Sequence, residues 1–424
     1  MSNVPWYRRK GLVVAVVAVV ATLAGMRIGV AIWGRSHLAK FVKDSQGIWD
    51  DERARLLGLR NPLDPEAKDP CPAAYKSAGI DLGASGRPIG MALLGNAGAK
   101  VPEDAASIVA QEKGAVAGFL KAAKCGGYAP KADEAWTTYD RLYPFFNAGR
   151  LVIVDARMRA EEGDMDAALD RLLAVVKAGT DFGTGSLMAG VHGAAVSTPA
   201  LETLAWYIAQ GRLTVEQRER VARDLKLLSP RMPSVLDGVI KERLRYHAIA
   251  VEVAETGIAP PDAKPMPDDP ARFAAAVMPT RAIIADALSK QDRFMTDVQD
   301  FATRYRDPLE FVIRVANAEP RAATRRMSGF DFPPYGLMQK GHNLCLPRAW
   351  ARMILEAITI EKTGVAPASL PKAIDDPCGA GPLVYYKGDS DGAYTFESVG
   401  KDGAVSDDDL RLERRPPKGL IPTP

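Results

Sequence analysis

The chain has 424 residues, a formal net charge of +3, 47% hydrophobic residues and 25% charged residues, which is typical of a globular protein with two or three structural units. Basic and acidic residues alternate along it without a long run of one sign, and this argues against a nucleic-acid partner. Aromatic residues make up only 7% of the chain, a composition that favours closely packed helices. We therefore expect a mainly α protein.

The N-terminal region predicts a membrane anchor. Residues 1–10 form a short basic flank, and residues 11–33 are almost entirely apolar. This segment can span a bilayer as a helix if Arg27, near its end, extends its charge toward the headgroups. Trp6 and Trp33 flank it as interface residues do. We expect an uncleaved single-pass transmembrane signal anchor, with a cleaved signal peptide or a buried soluble helix as alternatives.

The orientation of this anchor follows from the size of what comes after it. Basic residues flank the apolar segment on both sides, so the positive-inside rule gives a nearly tied count. A long following domain can cross the membrane regardless of local charge. We expect an inner-membrane protein with its bulk in the periplasm.

The four cysteines fit an oxidising compartment. Cys71, Cys125, Cys345 and Cys378 are even in number and lack CxxC spacing, a pattern that suits two disulfides. Three connectivities are possible, and we favour Cys71–Cys125 with Cys345–Cys378 because each pair closes a modest loop. Four unpaired buried thiols, or a zinc site in which His342 joins Cys345 and Cys378, are the alternatives.

Helical patterns dominate the middle of the chain. Residues 34–101 predict a helix that continues the anchor outward and then a Pro/Gly-rich linker, and residues 102–345 predict an α-helical domain. Within it, RAEEGDMDAALDRLLAV predicts two antiparallel helices, with Gly163 ending the first and Asp164 capping the second. This stretch resembles the inter-helix turn of a tetratricopeptide repeat, but no recurrence follows. Thr214–Gln217 predicts a capping box.

The C-terminal residues 346–424 predict a helix followed by a β-hairpin. Residues 383–386 predict a strand, residues 394–399 predict a returning antiparallel strand with alternating side chains, and the glycines of residues 388–392 predict a turn between them. A lone hairpin is marginally stable. We therefore expect it to pack on the helix of residues 348–363.

This tail carries a family resemblance. ILEAITIEKTG, PASLPKAIDDPCGAGPLVYY and FESVGKDG resemble the C-terminal region of type II secretion major pseudopilins. The same tail closes a group of uncharacterised, helix-rich, membrane-anchored bacterial proteins that carry a similar helical hairpin upstream. The second resemblance covers more of the chain, and it implies no established activity.

The pseudopilin resemblance implies a calcium site, and the chain departs from the family elsewhere. The acidic residues that match the calcium loop are Asp402, Asp407, Asp408 and Asp409, although their spacing differs and a solvated acidic loop is the alternative. Cys378 stands where the family has an aromatic residue. No prepilin-peptidase site precedes the apolar segment, so the chain is not expected to be a pilin subunit.

Motifs that would identify an enzyme are absent from the sequence. It has no HExxH, GxSxG, Walker or CxxC motif, and we predict no catalytic residue and no cofactor other than the candidate calcium. Phe330, Phe332 and Tyr335 form an aromatic-proline loop that either docks a partner or fills its own core. We expect an interaction or scaffold role for a protein partner, as an accessory of the envelope or of a secretion system. The alternative is an envelope hydrolase whose site is assembled from distant residues such as His192 and His247.

Overall fold

The structure is a computed structural model, and the protein is mainly α-helical, with a small antiparallel sheet near its C-terminus. This confirms the predicted fold class. The residues described are 6–69, 71, 74–75, 97–98, 100–126, 142–183, 187–256, 281–282, 285, 341–379, 381–389, 392–398 and 410–414.

Among the described residues, the elements follow one another along the chain as helices first and strands last. The helices are α1 (Trp6–Gly58), α2 (Ala105–Gln111), α3 (Lys113–Ala122), α4 (Leu142–Glu161), α5 (Met165–Phe182), α6 (Leu187–Ala209), α7 (Val215–Leu228), α8 (Val235–Thr256) and α9 (Leu346–Thr363), with 3₁₀ turns at Ser229–Arg231 and Gly341–Cys345. The strands are β1 (Val384–Lys387), β2 (Tyr394–Ser398) and β3 (Leu410–Arg414).

The chain divides into two compact units. Unit 1 consists of Met1–Asp50, Arg243–Asp297 and Ala318–Pro334, and unit 2 consists of Asp51–Glu242, Val298–Asn317 and Tyr335–Pro424.

Helix α1 changes its surroundings along its length. Most large apolar side chains between Val13 and Trp33 are solvent-exposed, by 45% to 68%. From Gly34 onward the helix contributes to the core of unit 1, where Leu38 is buried. A side chain at Gly34 would lie 2.5 Å from the backbone of Ala282, so this position must remain glycine for close packing. Within the described part of the chain, α1 is the one helix long and apolar enough to span a membrane.

A buried histidine packs on α1 within unit 1. His247 of α8 is 5% exposed and stacks on Trp49, with ring centroids 6.1 Å apart. Burial lowers the pKa of His247, although a hydrogen bond to the backbone of Val42 and the charge of Asp50 act in the opposite direction. A neutral ring suits this aromatic contact, and a structural role therefore accounts for His247.

The helical hairpin α4–α5 organises the core of unit 2. Gly163 has a φ of +89°, a left-handed conformation that ends α4 at little steric cost. Asp164 accepts a hydrogen bond from the amide of Ala167 at 3.0 Å and caps α5, as the sequence predicts. At the start of α7, Thr214 and Gln217 form the predicted capping box.

Helix α6 follows α5 and packs closely against it. A side chain at Gly179 would lie 2.5 Å from the carbonyl oxygen of Gly193, and a side chain at Gly193 would lie 2.3 Å from the carbonyl oxygen of Gly179. Ser197 donates to the same Gly193 carbonyl at 2.5 Å. The two glycines therefore set the distance between these helices.

The C-terminal sheet has the order β1-β2-β3, with antiparallel neighbours throughout. The sequence predicts only the first two strands, and β3 is an addition. Glu361 of α9 connects the sheet to the helices: it accepts from Tyr394 at 3.3 Å and forms ion pairs with Arg414 at 3.0 Å and Arg218 at 3.4 Å. The hairpin therefore packs on the last helix, as expected.

Candidate functional site

A groove of about 860 Å³ lies in unit 2. We call it the charged groove, since charged side chains form much of its lining. One wall comes from the segment after α1 and the end of α3, and the other two walls come from α5 and α7. Its lining residues are Asn61, Leu63, Asp64, Leu120, Ala123, Lys124, Asp170, Arg171, Leu173, Ala174, Lys177, Arg220, Arg223, Asp224 and Leu227.

Helix periodicity explains why these side chains meet. On α5, Asp170, Leu173, Ala174 and Lys177 follow the i, i+3, i+4, i+7 spacing of one helix face. On α7, residues 220, 223, 224 and 227 repeat the same spacing. Each helix therefore presents to the groove one stripe that begins with a charged residue and contains a leucine.

Ion pairs organise the charges of the groove. Arg220 pairs with Asp170 and lies 3.9 Å from Asp224, to which Arg223 donates at 3.1 Å. On the α5 side, Arg171 donates to the buried carboxylate of Asp155 at 2.5 Å. Asp155, Asp170 and Asp224 are therefore each paired with at least one arginine.

A buried ion pair lies at the end of the α5 stripe. Lys177 is 3% exposed and its Nζ donates to Asp181 Oδ2 at 2.6 Å. The same carboxylate oxygen accepts from Tyr75 at 3.3 Å, and Lys177 Nζ lies 3.6 Å from the sulfur of Cys125. These partners satisfy a charge pair that would otherwise be costly to bury.

Two pairs of cysteines lie at disulfide distance in the structure. Cys71 is joined to Cys125, and Cys345 to Cys378, the connectivity that loop length favours. Cys71, Cys125 and Asp181 also have ligand atoms within 4.8 Å of one another. The ammonium group of Lys177 already occupies that position beside the carboxylate, so a disulfide accounts for the cluster better than a metal ion does.

The Cys71–Cys125 bond lies directly behind one wall of the groove. Asn61 donates to the carbonyl oxygen of Cys125 at 3.0 Å, and the amide of Gly126 donates to the carbonyl oxygen of Asp69 at 3.0 Å. These bonds fix the segment after α1 against the end of α3.

Several predicted site residues cannot be placed. The candidate calcium ligands Asp402, Asp407, Asp408 and Asp409 lie outside the described residues, as do the aromatic residues Phe330, Phe332 and Tyr335. The side chain of His342, considered for zinc, is likewise not described.

The described histidines do not converge on the groove. His37 stacks on Trp33 at 4.8 Å, and His192 contacts the ring of Phe146 at 5.8 Å. Among the lining residues that the structure describes, none is a serine, cysteine or histidine. The groove can therefore bind through apolar contact, charge and hydrogen bonds, but this lining offers none of the usual nucleophile and base pairs.

Sequence patterns alone did not reveal the charged groove. The spacing of Arg220, Arg223 and Leu227 in α7 does indicate that they share one helix face. An exposed charged helix face is common, however, and does not predict a concavity. Only the packing of α3, α5 and α7 makes these stripes face each other.

Comparisons with protein-family models, curated proteins and solved structures found no match to this chain. The class of protein is therefore defined by its own features: a mainly helical body with a membrane-length N-terminal helix, disulfide-linked segments and an open charged groove.

Proposed function

We propose that the protein is a single-pass inner-membrane protein whose body lies in the periplasm and holds a protein partner. The observation that carries the proposal is the exposure of α1 between Val13 and Trp33. About 20 apolar residues suffice to span a bilayer, and water is an unfavourable environment for so many exposed apolar side chains. The membrane is the environment that suits them.

The periplasmic location is supported by the cysteines. Disulfides persist in oxidising compartments such as the bacterial periplasm and are rare in the cytosol. All four cysteines occur in the two pairs, and no free cysteine is found in the described part of the chain. A periplasmic location of the body agrees with the pairing of the cysteines and with the persistence of disulfides in that compartment.

The interaction role is supported by the charged groove, because it combines apolar surface with hydrogen-bonding charges. A partner protein can contact both the leucines and the charged rim of this groove. A role as an accessory of the envelope or of a secretion system rests on the resemblance of the tail alone.

Membrane fractionation and protease protection test the topology. We expect the full chain to resist extraction by alkaline carbonate and its body to be digested by protease in spheroplasts but not in intact cells. A fully extractable chain, or a body protected in spheroplasts, would contradict the proposal.

Site-specific photo-crosslinking in living cells tests the partner. A photoreactive amino acid replaces Leu227, which lines the groove, and in a control it replaces Val215, an exposed residue at the start of the same helix. We expect a discrete higher-mass adduct in the membrane fraction from the position of Leu227. The absence of protein adducts from both positions and from other surface positions would argue against an interaction role.

A further inference from the structure

The charged groove has more hydrogen-bond donors than acceptors left for a ligand. Arg223 is exposed, and Nε is the one group of its guanidinium that bonds to a described residue, Asp224. Lys124 is exposed at the end of α3, and its ammonium group has no bonding partner within the described ranges. Each guanidinium carries five N–H donors and each ammonium carries three. These two side chains therefore offer unused donors to whatever enters the groove.

Two of the three carboxylates that line the groove are paired with arginines, and the third, Asp64, has no cationic partner among the described residues. Asp224 is paired with two arginines and Asp170 with one, while Asp64 accepts a hydrogen bond from the amide of Glu66 at 3.2 Å. Arg171 and Lys177 do not add to the surplus of donors, because each is bound to a buried carboxylate. The donors left for a ligand belong to the cations Lys124 and Arg223, and the group that complements such donors is an anion.

The floor between these cations is apolar. Leu63, Leu120, Leu173 and Leu227 line it, and Leu227 is 42% exposed. The α5 stripe from Asp170 to Lys177 extends for about 10 Å at a rise of about 1.5 Å per residue. An extended peptide covers that distance with about three residues.

We infer that the charged groove binds an extended acidic segment of a partner protein, in which an apolar side chain is flanked by carboxylates. The apolar side chain contacts the leucines, and the carboxylates accept from Lys124 and Arg223. Carboxylates are favoured because guanidinium and ammonium groups form charge-assisted hydrogen bonds with them. This inference rests on the proposed function, since it names the chemistry of the partner.

Peptide binding to the purified full chain in lipid nanodiscs tests the inference. The probes are fluorescein-labelled hexapeptides: Asp-Glu-Leu-Ile-Glu-Asp, its amide form Asn-Gln-Leu-Ile-Gln-Asn, and an acidic form with Ser-Gly in place of Leu-Ile. We expect the first to bind at least tenfold more tightly than either of the others by fluorescence polarisation, a factor that corresponds to about 1.4 kcal/mol. Equal affinities for all three, or no binding, would overturn the inference.

Matched variants locate the binding site. The double variant Lys124→Gln/Arg223→Gln removes the two cations, and Lys121→Gln/Lys226→Gln removes two exposed cations of α3 and α7 that do not line the groove. We expect at least a tenfold loss of affinity for the acidic peptide in the first and less than a twofold change in the second. Equal losses in both variants would show attraction by net charge alone and would overturn the inference.

A second pair of variants tests the apolar floor without touching a charge. Leu227→Ser should weaken the Leu-Ile peptide at least fivefold, whereas Val215→Ser, which changes an exposed residue on the same helix outside the groove, should leave binding unchanged. Circular dichroism and the thermal midpoint verify that each variant folds. The titration uses purified protein, so its failure would refute the groove inference while a partner adduct in membranes would still support the proposed function.

Discussion

The ion pair of Lys177 and Asp181 is the residue-scale feature with the largest expected effect on stability. Both side chains are almost fully buried and lie 2.6 Å apart. Removing one member leaves the other charge without its partner, which typically costs about 3–5 kcal/mol. We expect Lys177→Met to lower the thermal midpoint of the full chain strongly, measured by circular dichroism in detergent.

The double variant Lys177→Met/Asp181→Leu is the control for this prediction. It removes both charges, and replacement of a buried pair by apolar residues is often nearly neutral. We expect its midpoint to lie well above that of Lys177→Met. A double variant as unstable as the single one would mean that packing at Lys177, rather than its charge, determines stability.

Through its partly buried carboxyl group, Glu202 should make the stability of the protein depend on pH. It lies on α6, and burial raises the pKa of its carboxyl group. A raised pKa means that the folded protein binds this proton more tightly than the unfolded chain does. The stability that results is fully present below the ordinary pKa of glutamate and is lost as the pH rises through the raised pKa. We expect Glu202→Gln to be more stable than the wild type at pH 7 and equal to it at low pH.

Thermal unfolding between pH 3.5 and pH 8 measures this difference. Glu216 provides the control, because its pKa is shifted in the opposite direction. It is exposed at the first turn of α7, and hydrogen bonds from the backbone and from Thr214 lower its pKa. Glu216→Gln should therefore not stabilise the protein at pH 7. A constant difference between Glu202→Gln and wild type over the whole range would contradict the prediction.

At the scale of elements, the contact between α5 and α6 depends on glycine. A methyl group at Gly193 would lie 2.3 Å from the carbonyl oxygen of Gly179, so Gly193→Ala must push the two helices apart. Overpacking typically costs about 1–3 kcal/mol. In Gly114→Ala, nothing lies within 4 Å of the added carbon, and alanine favours the helix by about 0.5–1 kcal/mol. We expect the first variant to unfold at a lower temperature than wild type and the second at no lower temperature.

One carboxylate of α9 contributes to holding the sheet on the helical body. Glu361 pairs with Arg218 and Arg414 and accepts from Tyr394. Burial raises the pKa of Tyr394, and the charge of Glu361 adds to that effect, so its hydroxyl remains a proton donor at neutral pH. In Glu361→Ala the two arginines lose their shared acceptor.

Hydrogen exchange measures how far the sheet is released in this variant. We expect Glu361→Ala to accelerate amide exchange in β1, β2 and β3 while α5 and α6 keep their protection. Glu219, whose exposed carboxylate pairs with Lys362 at 3.0 Å, provides the control, because an exposed ion pair contributes little. Uniform exchange throughout Glu361→Ala would contradict a local role.

Elements with strong local signals were predicted well from the sequence. Helix ends at Gly163, Asp164 and Thr214 follow from capping chemistry that operates within a few residues. Helices α2 and α3 are separated by a break at Glu112, where φ is −99° and ψ is 19°. No glycine or proline marks this break, so local patterns do not reveal it.

Features that depend on distant contacts were missed for the same reason. Strand β3, with the sequence LRLER, has a single fully buried side chain, Leu412, and its alternating charges resemble those of a loop. The charged groove likewise exists only where α3, α5 and α7 come together. Periodicity identifies the faces of helices, but it does not say which faces are opposite each other.

At the scale of the whole molecule, the two disulfides link segments that are distant in the sequence. Cys71 and Cys125 are 54 residues apart, and Cys345 and Cys378 are 33 apart. If loop entropy dominates, crosslinks over such loops each contribute about 4 kcal/mol by restricting the unfolded chain. The Cys71–Cys125 crosslink also lies beside the wall of the charged groove that the segment after α1 and the end of α3 form.

We therefore expect Cys71→Ser/Cys125→Ser and Cys345→Ser/Cys378→Ser each to lower the thermal midpoint, and only the first to weaken binding of the acidic peptide. The reason is that Asn61 and its neighbours line the groove beside Cys125, whereas Cys345 and Cys378 form a separate small cluster with Ala349. Differential scanning calorimetry and fluorescence polarisation on the same samples separate the two effects. Equal loss of peptide binding in both variants would mean that binding follows overall stability and not the position of this wall.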